Sequence, residues 1–478
     1  MPRTETPAPR YLALADAVAG MIAAGTLRPG DRLPSLRHFG ARHRASVPTV
    51  IHAYTVLENR RLVEARPKSG FYVRPRLAEA REEPGFSRRT PAAKSLADFP
   101  PLMALVADVA DPRLVPMGGA NPGAALLPAT KLARIAGALS RREPRAAIQY
   151  DPPPGCPSLR REISRRSLEW GCALPADEFI LTNGATEALH LALRTVARPG
   201  ETVMVESPAY YGVLHILSRL GLRAVAVPAS ARGGLRLDAA RKVLARQKIA
   251  AIVVTPNFSN PLGALMPPEA RAALVALAAA RKIPLIEDDI YGDLHHDGER
   301  PPCLKALDRA DGVILCGSFS KTLAPGCRAG YVAGGRWHGE ILEAKAALTF
   351  GGPPLPALTI AGFLRDGGYA AHLRGLRRTF REQVARMREA LAAALPREAR
   401  ISDPQGGFVL WIELPAGFDS LALFHQARRA GISIAPGHLF SPSAEFGHCF
   451  RVSCGHPWDR RMESGVATLG KLVARRMS

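Results

Sequence analysis

Between residues 202 and 318 the chain repeats one pattern: the apolar, β-rich runs TVMVE (202–206), AIVVT (251–255), PLIED (284–288) and GVILCGS (312–318) alternate with stretches of helical length such as 267–281. Strands that are apolar on both faces need cover on both sides, which helices in the crossover connections supply. The alternation therefore predicts an α/β domain with a largely parallel sheet and its chemistry at the carboxyl ends of the strands. Further on, GGFVLWIEL (406–414), a helical stretch and FRVSC (450–454) predict a smaller α+β subdomain. The 478 residues leave room for two to four domains.

The first 76 residues form a separate unit, with 13 Lys and Arg against 5 Asp and Glu. Leu14, Val18 and Ile22 recur at four-residue spacing before Gly25, which predicts an amphipathic helix with a glycine stop. A second helix is expected over 35–43. Ser46 is placed to cap a third, in which Val50, Tyr54 and Leu57 share a face and Pro48 sits in the first turn, where no helical partner is lost. LVEA and FYVRP, joined by RPKSG, predict a hairpin. Three helices and a hairpin make a winged helix-turn-helix. Residues 77–112, including REEPGFSRRTPAAKS, lack a sustained apolar period and are expected to be a linker. The rest, 113–478, is expected to divide near residue 335 into a large subdomain (about 150–335) and a small one (about 336–478).

The net charge of +22 suits an anionic partner, or an Arg-rich coding bias; charge alone does not separate the two. The N-terminus has no apolar run of signal-peptide length, and the longest clean apolar run, Ala272–Ala280, is too short to span a bilayer, so a cytoplasmic protein without membrane attachment is expected. Seven cysteines without a Cys-x-x-Cys pair argue against a disulfide framework. The clusters His448, Cys449, Cys454, His456 and His295, His296, Asp297 lack a second half at zinc-site spacing, and no metal is expected.

The most telling segment follows the last of the four strands: Ser318-Phe319-Ser320-Lys321-Thr322-Leu323-Ala324-Pro325-Gly326-Cys327-Arg328-Ala329-Gly330. Two serine hydroxyls, the Lys321 amine and the Arg328 guanidinium follow one another along it. The segment resembles the fold type I pyridoxal phosphate enzymes of the aminotransferase class I/II family. The resemblance implies that Lys321 forms an imine with the cofactor, while Ser318, Ser320 and Arg328 hold its phosphate. It extends to six other segments. In EDDIY (287–291), Asp288 pairs with the pyridine nitrogen and Tyr291 approaches the ring hydroxyl. In TPNFSNPLG (255–263), Asn260 bonds the same oxygen, and in TNGATEA (182–188) the backbone N–H groups of Ala185 and Thr186 receive the phosphate. Tyr210 of ESPAY stacks on the ring. Tyr150 of YDPPPG reaches the phosphate from the neighbouring subunit of a homodimer, and Arg451 clamps a substrate α-carboxylate. Each residue alone has an ordinary alternative (a solvated turn for Asp288, a core aromatic for Tyr210, a surface ion pair for Arg451), but all occur in family order.

The first 76 residues resemble the GntR family of winged-helix repressors, and the fusion resembles its MocR-type subfamily. This implies binding to double-stranded DNA, with Arg37 from the second helix, Ser46, Thr49 and His52 outward on the recognition helix, and Lys68 and Gly70 in the wing. Val47, Pro48 and His52 depart from the commonest family pattern, leaving an apolar contact to a thymine methyl as one route to base readout, with Arg42, Arg44, Arg60 and Arg61 available for phosphates. The expected function is a pyridoxal phosphate-dependent transcription regulator that senses a small amine, an amino acid or the cofactor itself. The alternative is a working aminotransferase whose N-terminal domain is vestigial or a tether.

Overall fold

Contacts in the computed structural model divide the chain into two units, 1–80 and 81–478. The structure describes residues 9–24, 26–27, 31–59, 62–66, 69–73, 81–87, 91–97, 103–366 and 368–477. Lys68, Arg60, Arg61 and residues 74–80 lie outside these.

In the first unit, helices Arg10–Ala23, Leu36–Arg42 and Val47–Asn59 enclose Leu14, Val18, Ile22, Phe39, Val50, Tyr54 and Leu57. Ser35 caps the second helix, its side chain accepting from the N–H of His38. Gly40 lets that helix meet the turn closely: a Cβ there would lie 2.8 Å from the Ala45 carbonyl oxygen. Strands Val63–Arg66 and Gly70–Val73 pair antiparallel, Val63 opposite Val73 and Arg66 opposite Gly70, which is the expected wing. Backbone bonds from Leu33 to Phe71 and from Val73 to Asp31 tie the segment before the second helix to this hairpin.

In the second unit the main sheet runs Ala93–Ser95, Arg223–Ser230, Thr202–Ser207, Ala251–Val254, Leu285–Asp288, Val313–Ser318, Ala329–Ala333, Phe179–Asn183. The five strands from 223–230 to 313–318 are mutually parallel, and Ala329–Ala333 is antiparallel to both neighbours. Helices cover both faces, burying one core around Leu189, Leu214 and Ile286 and another around Val225, Ile252 and Leu274. Asn183, Ser207, Asp288 and Ser318 each end their strands, which brings the motif segments to one edge of the sheet. A second sheet, Arg400–Ile401, Val409–Glu413, Cys449–Ser453, Ala435–Pro436, carries the small subdomain.

Two boundaries differ from expectation. Residues 81–112 are not a free linker. Ala93–Ser95 adds an antiparallel strand to the main sheet, helix Met103–Ala110 buries Leu105 and Asp108, and Arg81 donates to the carbonyls of Ala392, Leu395 and Pro396 at the end of helix Gly368–Ala394. These elements are too short to show a period and are held by docking. The large subdomain also does not end near 335. Helices His338–Thr349 and Pro354–Arg365 pack on it, whereas Val115, Met117 and Ala120 join the core of the small one. Helix Gly368–Ala394 bridges both, Tyr369 and Leu373 in one core, Leu376 and Phe380 in the other. Among the described residues no helix is long and apolar enough to cross a membrane, and no group of three or more His, Cys, Asp or Glu forms a metal site.

Candidate cofactor site and nucleic-acid interface

A cavity at the strand ends is lined by Ala185, Thr186, Tyr210, Asn260, Asp288, Tyr291, Ser320, Lys321 and Arg328. Nine of the residues expected at a cofactor thus come together from five segments of chain. At one end helix Ala185–Val196 begins, presenting its unpaired N–H groups. Gly184, at φ 84°, makes that turn, and its missing side chain leaves room for the Arg328 guanidinium, which donates to the Asn183 carbonyl at 2.7 Å. Ser320 lies beside it. This end is built for a dianion.

At the other end is Asp288. It is fully buried, its Oδ1 has no hydrogen-bond partner among the described residues, and burial, reinforced by the Asp289 charge, pushes its carboxyl up to about 7. An orphaned buried carboxylate is costly unless a cation meets it. Asp289, beside it, is already satisfied by Asn257 at 2.7 Å and by Arg300, so the pair is no solvated turn. Lys321 also lines the cavity, donating to the Ala120 carbonyl at 2.7 Å and to Asn121 Oδ1 at 3.2 Å. Desolvation and the charges of Arg451 and Arg328 bring its ammonium down to about 8, so near neutrality a fraction is a free amine. Burial raises the hydroxyls of Tyr210 and Tyr291 well above their ordinary value, keeping both protonated. The residues fit pyridoxal phosphate: an anion seat, an amine between, and an uncompensated acid placed for a ring nitrogen.

Three expected site residues stand elsewhere. Ser318 lies behind the cavity wall, its hydroxyl bonded to Ser320 Oγ at 2.8 Å and to the Ala329 carbonyl at 3.0 Å, and it accepts the Ser320 N–H. It orients Ser320. Arg451 is no surface ion pair; it is fully buried, donating to Asn260 Oδ1 at 3.1 Å and to the Gly118 carbonyl, and its Nε has no partner among the described residues. Asn260 is bonded in turn to the Tyr291 hydroxyl. Tyr150 lies outside the cavity, 86% exposed, with its ring edge-on to Phe350.

Several lining residues escaped the sequence reading. Val109 comes from the segment taken as a linker, Asn121 from the loop that receives Lys321, and Tyr211 follows Tyr210. Glu206 is a buried neighbour of Asp288 whose carboxyl is pushed up to about 8 by burial; it accepts the Thr255 N–H at 2.9 Å. Only Tyr211 had a signal, as the second aromatic of a pair.

On the recognition helix Val47–Asn59, Ser46 is occupied as the cap, its Oγ 3.3 Å from the Thr49 N–H and 2.8 Å from Thr49 Oγ1. His52 stacks on Tyr11, centroids 4.0 Å apart and planes 2° apart. Arg37 is exposed on the second helix, and Gly70 opens the second wing strand at φ 108° with the Arg32 guanidinium over it.

The fold and cavity define a pyridoxal phosphate-binding domain of aminotransferase type behind a winged helix-turn-helix. The family description "Aminotransferase class I and II" matches residues 119–467, and "Bacterial regulatory proteins, gntR family" matches residues 10–73. The chain belongs to aminotransferase class I and II and carries a GntR-type N-terminal domain, the MocR architecture, so its cofactor is pyridoxal phosphate and its N-terminal unit is a DNA-binding one. It is 37% identical over 468 residues, 98% of this chain and 100% of the relative, to the uncharacterised HTH-type transcriptional regulator YdcR of Escherichia coli. It is 31% identical over 366 residues, 76% of this chain and 90% of the other, to a 2-aminoadipate transaminase of Thermus thermophilus. The crystal structure of LysN, an alpha-aminoadipate aminotransferase from Thermus thermophilus complexed with N-(5'-phosphopyridoxyl)-L-leucine, matches with a TM-score of 0.74 at 29% identity, covering 78% of this chain and 95% of that one.

Proposed function

We propose that the protein is a cytoplasmic, homodimeric transcription regulator that binds double-stranded DNA through its first 76 residues and changes its DNA-bound state when a small amine or amino acid enters the cofactor pocket. One observation carries the reading: a pocket complete for pyridoxal phosphate lies in the same chain as a helix-turn-helix, and a relative with the same full-length arrangement is named a transcriptional regulator.

Bound, the cofactor supplies an aldehyde that exchanges amines and a ring that withdraws electrons. Lys321 provides the displaceable amine, and its lowered ammonium value keeps it available to give up or take a proton near neutrality. Asp288 would hold a proton or a positive charge at a ring nitrogen. Ser320, Arg328 and the N–H groups of Ala185 and Thr186 would hold the phosphate, Tyr291 and Asn260 would serve the ring oxygen, and Tyr210 would pack on the ring. Arg451, held on Asn260 with Nε still unpartnered, is the group for an effector carboxylate; taking one up trades its bond to the Gly118 carbonyl for a two-pronged ionic contact. Tyr150, exposed on the single chain, is available to the partner's phosphate site. An effector shifts DNA binding only by as much as its affinity differs between the two arrangements of the protein.

The test is a visible absorption titration of the cofactor-loaded protein with a panel of amines and amino acids, followed by addition of keto acids. A spectral change that persists, with little turnover, supports a sensor. Rapid repeated turnover without an effect on DNA binding would instead make the protein a transaminase with a tethered N-terminal domain, a reading favoured by the complete catalytic set and by the transaminase relative. No spectral change with any amine would remove the sensor reading.

A further inference from the structure

The recognition helix exposes two aliphatic side chains beside polar residues that also brace it. Ser46 and Thr49 are bonded to each other at the helix start, and the His52 ring lies flat on Tyr11. On the opposite stripe, four residues apart and so one turn above the other, Val47 and Ile51 are 39% and 45% exposed. Exposed Thr55 continues the stripe and bonds its hydroxyl back to the Ile51 carbonyl at 3.0 Å. Ser46 and Thr49 thus help hold the helix start, and the surface offered to a partner includes an aliphatic stripe.

Charge says what covers it. Arg37, Arg42 and Arg44 are exposed on the adjoining helix and turn, so the partner carries an apolar feature inside an anionic frame. Duplex DNA has one such feature on its base edges: the thymine C5-methyl in the major groove. Guanine, adenine and cytosine present donors and acceptors there, and covering those with Val or Ile leaves them unpaired, at a cost that rejects them. Both side chains are β-branched and stiff, so little rotamer freedom is lost on contact. We infer that Val47 and Ile51 are specificity-determining residues that read thymine methyl groups in the major groove. The inference rests on the DNA-binding reading above and adds to it which side chains select the sequence and what they select.

The test uses full-length, cofactor-loaded protein and a duplex it selects from a random pool, at fixed salt. The duplex is resynthesised with deoxyuridine for every thymine, which removes the C5-methyl, and single thymines are then restored. The expected result is a loss of about fourfold in affinity for each methyl contacted, recovered by restoring thymine at a few positions only. Val47→Ala and Ile51→Ala should weaken binding to the thymine duplex, leave the deoxyuridine duplex unchanged, and leave binding to unselected DNA intact, which shows that the unit still folds. Equal affinity of the wild-type protein for the two duplexes overturns the inference while leaving DNA binding standing. Absence of binding to any duplex overturns both. A change of oligomeric state in either variant, with DNA affinity unaltered, assigns the stripe to contact between copies of the chain and also overturns it.

Discussion

The cofactor pocket and the recognition helix use polar residues in opposite ways. At the pocket, Asp288 and its neighbour Glu206 are buried, and burial together with a neighbouring carboxylate pushes both carboxyls well above their ordinary range. On the helix, Ser46 and Thr49 are spent on the helix start and His52 on a ring stack, while Val47 and Ile51 face outward. Where burial makes every unpaired charge expensive, residue type reports the ligand. On an exposed helix the polar residues can serve the fold as well, so residue type alone does not say which face meets a partner.

The contrast can be broken at its strongest point first. Lys321→Ala should abolish covalent attachment of the cofactor: after borohydride reduction the wild-type chain gains the mass of one cofactor and the variant gains none. A modified variant would place the linkage on another amine. Asp288→Asn comes next, and two effects of opposite sign are expected. Cofactor affinity should fall by roughly 30-fold or more, since a buried charge partner is lost. The cofactor-free variant should nonetheless be more stable than wild type. The Asp288 carboxyl sits at about 7 in the folded chain against an ordinary value of 3.8, so the folded state binds the extra proton between those values. Its contribution to wild-type stability therefore declines as pH rises through that window and is lowest above it. The variant's advantage in thermal or urea unfolding should grow from pH 4 to pH 7, reach on the order of 2–4 kcal/mol, and then level off. A pH-independent difference would mean that Asp288 is not held out of its ordinary range.

Smaller effects are expected on the DNA-binding side. Arg37→Ala should weaken DNA binding about 3- to 10-fold at physiological salt and make the log–log salt slope shallower by about 1, as for one lost phosphate contact; an unchanged slope would take Arg37 out of the interface. Ser46→Ala should cost the N-terminal unit about 1 kcal/mol of unfolding free energy without altering sequence preference, because its hydroxyl caps the helix. A changed preference with unchanged stability would return Ser46 to base reading.

The sequence was most legible where the chemistry is most exacting. The segment from Ser318 to Gly330, the strand end at Asp288 and the helix start at Ala185 were singled out by motifs that resemble a known family, and residues of all three line one cavity. What could not be read depends on partners distant along the chain. Arg451 meets the Gly118 carbonyl across 333 positions, and nothing local to either residue announces it. Ala93–Ser95 and Met103–Ala110 carry no period because docking on a larger surface, not their own amphipathicity, holds them. Val109 reached the pocket wall unannounced for the same reason. Ser318 and Ser320, two apart in the sequence, differ in role because one faces the cavity and the other its rear.

The central claim is that occupancy of the pocket and binding of DNA are coupled in one chain. The most direct measurement is the affinity of the full-length, cofactor-loaded protein for its selected duplex, with and without each amine that changes its visible spectrum, repeated with Lys321→Ala. The account predicts that at least one amine shifts the affinity at least fivefold, the lower end of ordinary allosteric coupling, and that the shift disappears in the variant. Equal affinity with and without every spectrally active amine would contradict it.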